Sequence, residues 1–242
     1  MDDQSDKGEG IMIAIIGAMQ QEVDQLLALC KHVEKRVIHG SHFYLGKLSS
    51  VDVVVALSGV AKVAASMTTT CLLENFDIKG VINIGTAGGL KSEQEVLDVV
   101  VSTEVAHHDV DITAFGIKRG FGERFSYKAD PGYVEVISKM VNDNEHRVWI
   151  GPMVSGDQFI HRKEQVDQIL TDFPDANCVE MEAAAIAQVC DHYKIPFVVI
   201  RSLSDIAVRD DNHLSFEEYL SVAAKRSAQW VYEAIEEIAA HA

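Results

Sequence analysis

Short apolar runs alternate with amphipathic stretches along most of this chain. Residues 12–16, 42–48, 51–57, 81–84, 96–102, 147–154 and 197–200 are each brief, rich in β-branched side chains and bounded by turn formers, a pattern that predicts strands. Between them, residues 20–30 carry Val23, Leu26, Leu27 and Cys30 at helical spacing, and residues 63–74, 133–141 and 163–173 also suit helices. A final helix is expected after the S-x-x-E box of Ser215 and Glu218, striped by Phe216, Tyr219, Leu220, Ala223, Ala224 and Val231. Strands alternating with helices over the whole length imply βαβ units. The expected fold is α/β: one domain spanning residues 12–242, with a central, mostly parallel mixed sheet flanked by helices on both faces. Residues 1–11 are polar and acidic and are expected to be a disordered extension or a tag, with Met12 as a plausible native start.

Charged residues interrupt this pattern most sharply at residues 178–205, CVEMEAAAIAQVCDHYKIPFVVIRSLSD. Glu180 and Glu182 open an alanine-rich segment expected to be a helix, where carboxylates can simply favour the dipole and the free amides. Residues 197–200 then form a buried strand, and Arg201, Ser204 and Asp205 lie at its C-terminal end, the side of an open α/β sheet where ligands bind. Three carboxylates and an arginine around a corner otherwise made of alanine and valine must be paired or used, because burying such charges is costly. Glu22, just after the first strand, reaches the same edge.

Composition narrows the classes. With 37 acidic against 21 basic residues the net charge is −16, which repels nucleic-acid backbones and anionic membranes, so neither is an expected partner. No apolar run approaches the length of a bilayer span. Cys30, Cys71, Cys178 and Cys190 form no CxxC pair and read as free thiols in a reducing cytoplasm.

Several loops carry candidate chemistry. The GTAGGL of residues 85–90 invites a ligand to approach backbone amides at Thr86, Ala87 and Gly88, or is a tight turn; it lacks the GxGxxG spacing of dinucleotide folds. SGVAK at 58–62 lacks the phosphate-loop pattern. His107 and His108, beside Asp109 and Asp111, lack any metal-ligand spacing, and no metal or other cofactor is expected. Residues 118–128 read as a long loop, preceded by Ile112 and Phe115. Phe159 follows another strand end and is either core or a base-stacking residue. Several carboxylates with aromatic walls and no thiol nucleophile suit acid-base cleavage of a glycosidic bond, with Asp205, its pKa raised by burial, as acid and Glu22 as base.

Six segments in order, GAMQQEV (17–23), SGVAKVAA (58–65), GTAGGL (85–90), VSGDQFI (154–160), VEMEA (179–183) and RSLSD (201–205), resemble the 5′-methylthioadenosine/S-adenosylhomocysteine nucleosidases of the nucleoside phosphorylase superfamily. The resemblance implies a nucleoside phosphorylase-like fold and a metal-free homodimer that hydrolyses both nucleosides, and also 5′-deoxyadenosine. It further implies that Asp205 protonates adenine N7 with help from Ser204 and that Glu22 activates water. Glu182 would hold the ribose hydroxyls with Met181 against the sugar. Phe159 would stack on adenine, the Ile160 backbone would read the base edge, and Met19, Val60 and Phe216 would be apolar walls. Phe115 would reach the partner's alkylthio pocket. Glu180, Arg201, Thr86, Ala87, Gly88 and Ile112 complete the expected binding set. The family often has Ser at the place of Thr86 and Gly at the place of Ala61.

Three other readings compete. A nucleoside phosphorylase would need cations for its phosphate, and residues 17–23 offer Glu22 and no arginine. A futalosine-type hydrolase would differ only in its base pocket. A silent nucleoside-binding protein would have no need of an acid and a base.

Overall fold

The computed structural model describes residues 11–141, 146–208 and 216–242, with backbone alone over 216–218. In chain order it forms β1 (Met12–Gly17), α1 (Gln20–Leu27), β2 (Lys31–Ile38), β3 (Ser41–Leu48), β4 (Val51–Leu57), α2 (Lys62–Asn75), β5 (Ile78–Gly89) and β6 (Val99–His107). A 3-10 turn at Thr113–Phe115 precedes β7 (Ser126–Lys128), α3 (Pro131–Met140), β8 (Val148–Ser155), α4 (Lys163–Asp172), β9 (Cys178–Glu180), α5 (Ala183–Tyr193), β10 (Phe197–Ile206) and α6 (Phe216–His241). The expected capping box at Ser215 and the stretch 1–10 lie outside the described residues or side chains.

The strands share one mixed sheet. β1 runs parallel between β4 and β5, and β5 runs parallel to β10. β10 pairs antiparallel with β6, β6 parallel with β8, β8 parallel with β9, and β9 returns antiparallel to β5. Those five strands close a ring. From β5 an open wing leads through β1 and β4 to the antiparallel β3 and β2.

Both faces are covered, which is why the inner strands read as continuous apolar runs. On β1, Ile13 and Ile15 face α1, α3 and α6, while Ala14 and Ile16 face α2 and α5. Val53 and Val55 against Val54 and Ala56 repeat the alternation on β4. A third, smaller cluster under α4 joins Ile160, Ile169, Phe173 and Val179.

Several elements differ from expectation. β2 has no apolar face because it is the sheet's edge; its exposed Lys31, Glu34, Lys35 and Arg36 discourage pairing with another chain. β5 and β10 continue well beyond residues 84 and 200, so the glycine run 85–89 is strand rather than turn. β6 starts at Val99 and carries His107 as its last residue. Glu180 ends a short strand instead of starting a helix, because Cys178 and Val179 pair with β5 and β8 at once.

Candidate active site

The C-terminal ends of β1, β5, β8, β9 and β10 converge on a cavity of about 260 Å³. Glu22 enters it from the first turn of α1. Its Oε2 accepts the N–H of Ala18 at 2.8 Å and of Met19 at 3.0 Å, so this oxygen caps the helix that carries it. The other oxygen, Oε1, lies 3.2 Å from where a β-carbon on Gly85 would stand. Arg201 occupies the other flank of that missing side chain, its Nη1 at 3.3 Å. Glycine at 85 thus lets a carboxylate and a guanidinium close in on one strand. Burial is the main influence on Glu22 and raises its pKa, against the lowering effects of the Met19 amide and Arg201.

Behind the cavity, Arg201 is fully buried and paired with Glu180 at 2.7 Å. Its Nη2 also donates to Asn83 Oδ1 at 2.6 Å, and Asn83 in turn donates to the carbonyl of Ile16 at 2.9 Å. Glu180 accepts the amides of Glu182 and Ala183, each at 2.9 Å, together with the hydroxyl of Ser155. Burial alone would push the Glu180 carboxyl up; Arg201 and these donors outweigh it and hold the pKa below the usual carboxylate range.

Glu182, the N-cap residue of α5, has no such cation. Its Oε1 accepts the N–H of Ala61 at 2.8 Å across the cavity mouth. Burial first, and then the neighbouring Glu180 charge, push its pKa up to about 7.

On the far wall the register of β10 against β5 shifts between Leu203 and Asp205, which sets Asp205 beside Gly88. Asp205 Oδ2 would stand 3.2 Å from a β-carbon there, and Oδ1 accepts the Ser204 hydroxyl at 2.7 Å. Gly88, like Gly85, is a place where a side chain would displace an acid. Phe159, half exposed at 51%, and buried Ile160 close the wall from the loop after β8.

The cavity therefore gathers Met19, Glu22, Val60, Thr86, Ala87, Gly88, Phe159, Ile160, Glu180, Met181, Glu182, Arg201, Ser204 and Asp205, as expected from the sequence. Ile112 and Phe115 do not line it; Phe115 is 83% exposed. The side chain of Phe216 lies outside the described ones. Asn83, Ser155 and Gln158 were not foreseen. Gln158 lines the cavity, while Asn83 and Ser155 orient Arg201 and Glu180, the first from within an expected strand and the second from just after one. His107 sits away from the cavity with its Nε2 3.0 Å from Gln188 Oε1, and burial lowers the pKa of both His107 and His108.

The model of the phosphorylase superfamily matches residues 12–236. A 5′-methylthioadenosine/S-adenosylhomocysteine nucleosidase of Lysinibacillus sphaericus is 46% identical over 226 residues, covering 92% of this chain and 98% of its own. One from Oceanobacillus iheyensis is 44% identical, covering 93% and 99%. Among solved structures, the nucleosidase of Neisseria meningitidis in complex with methylthio-immucillin-A superposes with a TM-score of 0.87 at 39% identity, covering 93% of this chain and 98% of that one. The S-adenosylhomocysteine nucleosidase of Streptococcus pyogenes with 5-methylthiotubericidin gives 0.89 at 33%, covering 96% and 99%.

Proposed function

The chain belongs to the phosphorylase superfamily, among its 5′-methylthioadenosine/S-adenosylhomocysteine nucleosidases, and from that premise we propose how this site cleaves its substrates. The enzyme hydrolyses the N-glycosidic bond of 5′-methylthioadenosine and S-adenosylhomocysteine, and of 5′-deoxyadenosine, releasing adenine and the 5-substituted ribose. Asp205, steadied by Ser204, gives a proton to adenine N7 as the C1′–N9 bond breaks and its electron pair passes to the base. Glu22 takes a proton from the water that adds to C1′. Glu182 binds the ribose hydroxyls with Met181 against the sugar, Phe159 stacks on adenine, and the Ile160 backbone meets the base edge.

The observation that carries this reading is the disposition of two acids in one cavity. Asp205 and Glu22 approach β5 at Gly88 and Gly85, and each has one oxygen held by its own segment and a second on the β5 side. A base whose pKa is raised by burial is a stronger proton acceptor once ionised.

Water is favoured over phosphate as the nucleophile. Among the described residues lining the cavity Arg201 is the only cation, and it is occupied by Glu180 and Asn83. The reading includes a cytoplasmic homodimer in which Phe115 completes the partner's alkylthio pocket. Phe115, Val63 at 68% and Met67 at 65% exposure are apolar side chains that a second copy would cover. The four cysteines are free, and among the described residues no helix is long and apolar enough to cross a membrane.

The test is adenine release from 5′-methylthioadenosine in phosphate-free buffer, repeated with phosphate. Release independent of phosphate, with free methylthioribose as co-product, is the expected outcome; release that requires phosphate would make the protein a phosphorylase.

A further inference from the structure

Two separate loops flank the cavity mouth. The loop after β8 carries Phe159, and the loop between β4 and α2 carries Val60 and Ala61. Three charged residues outside the mechanism tie these loops together. The backbone N–H of Lys62 donates to Asp157 Oδ1 at 2.8 Å, and its ammonium lies 2.5 Å from Asp109 Oδ1 and 3.9 Å from Asp157 Oδ2. Asp109 closes the triangle by accepting the N–H of Asp157 on Oδ2 at 2.9 Å. The start of α2, the segment after β6 and the loop after β8 are thereby joined at one point.

The residue before Lys62 explains why such a joint is needed. Ala61 stands at φ 76° and ψ 164°, a region a β-carbon disfavours and one that persists only when the surroundings over-determine it. Two successive amides then point to opposite sides of the site: that of Ala61 to Glu182, and that of Lys62 to Asp157, two residues ahead of Phe159. On the same loop Gly156 packs so closely on the His108 ring that a β-carbon would stand 2.3 Å from Nε2.

We propose that Lys62, Asp109 and Asp157 are positioning residues that fix the Phe159 loop at nucleoside spacing from Glu182 before the substrate arrives. They touch no reacting atom. Without the ammonium, two carboxylates face each other, the loops part, and Phe159 and Glu182 no longer meet one ligand together. The inference deepens the nucleosidase reading and rests on it.

Steady-state kinetics on 5′-methylthioadenosine, adenine inhibition and thermal melts would be measured for the wild type, Lys62→Met, Lys62→Arg and Asp109→Asn. Lys62→Met should raise KM and the adenine inhibition constant about tenfold while kcat stays within about threefold, since small misplacements of binding groups weaken capture of the substrate. Lys62→Arg should recover most of the loss. A lowered melting temperature with unchanged KM would overturn the proposal, leaving the triangle a stabilising contact only. If Lys62→Met fails to fold, Asp109→Asn, which keeps one of the two acceptor oxygens and the side-chain shape, decides on the same readouts. A wild type that releases no adenine removes the nucleosidase reading and this inference with it, whereas an active wild type matched in KM by every variant removes the inference alone.

Discussion

Glu180 and Glu182 stand two residues apart, equally buried at 7% exposure, yet their carboxyls are displaced in opposite directions. Glu180 faces a guanidinium, two amides and a hydroxyl at the back of the cavity; Glu182 faces one amide and the neighbouring negative charge. The first is a completed interaction that needs no ligand. The second has no cation to match it, and in the proposed reading the ribose hydroxyls of the substrate are its partners. On the proposed reading the molecule divides its buried charges accordingly, the back wall serving the fold and the front serving chemistry at some cost in stability.

The largest test of that division is on the front wall. Asp205→Asn and Glu22→Gln should each lower kcat for adenine release by about 10²–10⁴-fold, the usual contribution of a positioned acid or base, while thermal melts move little. A variant that kept its rate would strip that residue of its role. On the back wall the effect should fall on folding instead. Arg201→Met leaves Glu180 buried without its cation and should cost about 3–5 kcal/mol in a denaturant titration; a loss under about 1 kcal/mol would mean that the amides and Ser155 suffice for Glu180.

Glu182 gives the subtlest separation, through pH. Its folded carboxyl holds a proton up to about 7, against the ordinary 4.5. The stability this contributes is fully present below about 4.5 and is lost as pH climbs through 7, an amount on the order of 3 kcal/mol. Relative to the wild type, Glu182→Gln should therefore gain stability as the pH of the melts is raised from 4.5 to 8, and should bind substrate less well throughout. A pH-independent difference between the two would show that the carboxyl is not held protonated.

Much of this was legible in the sequence, for a reason that differs between elements. The strand ends after Ile16, Ile84, Val154 and Ile200 are marked by apolar runs, so the acids and the aromatic that follow them could be placed at one edge of the sheet. The resemblance of six short segments then assigned them roles. What periodicity could not give was partnership over distance. Glu180 looks like a helix start until Arg201 is brought against it. Asn83 looks like a polar interruption of a strand, and Ser155 like the start of a turn, until both are seen bonding that pair. Likewise β2 carries no apolar stripe to read, since an edge strand outside the core owes its shape to hydrogen bonds with β3. The glycines of β5 suggest a turn, whereas at 85 and 88 they make room for side chains on neighbouring elements.

The place of β10 also governs how the protein comes into being. The last strand in sequence lies between two that are made much earlier, β5 and β6. Until Phe197 and the residues after it emerge, those two strands present open backbone edges with apolar residues on both faces, a surface prone to pairing with other chains. The strand that seals the ring also delivers Asp205, so on the proposed reading the acid and the closure of the sheet arrive together. A nascent chain that ends before β10 lacks both the closed ring and Asp205, and that interval is when its open strand edges are most exposed to mispairing.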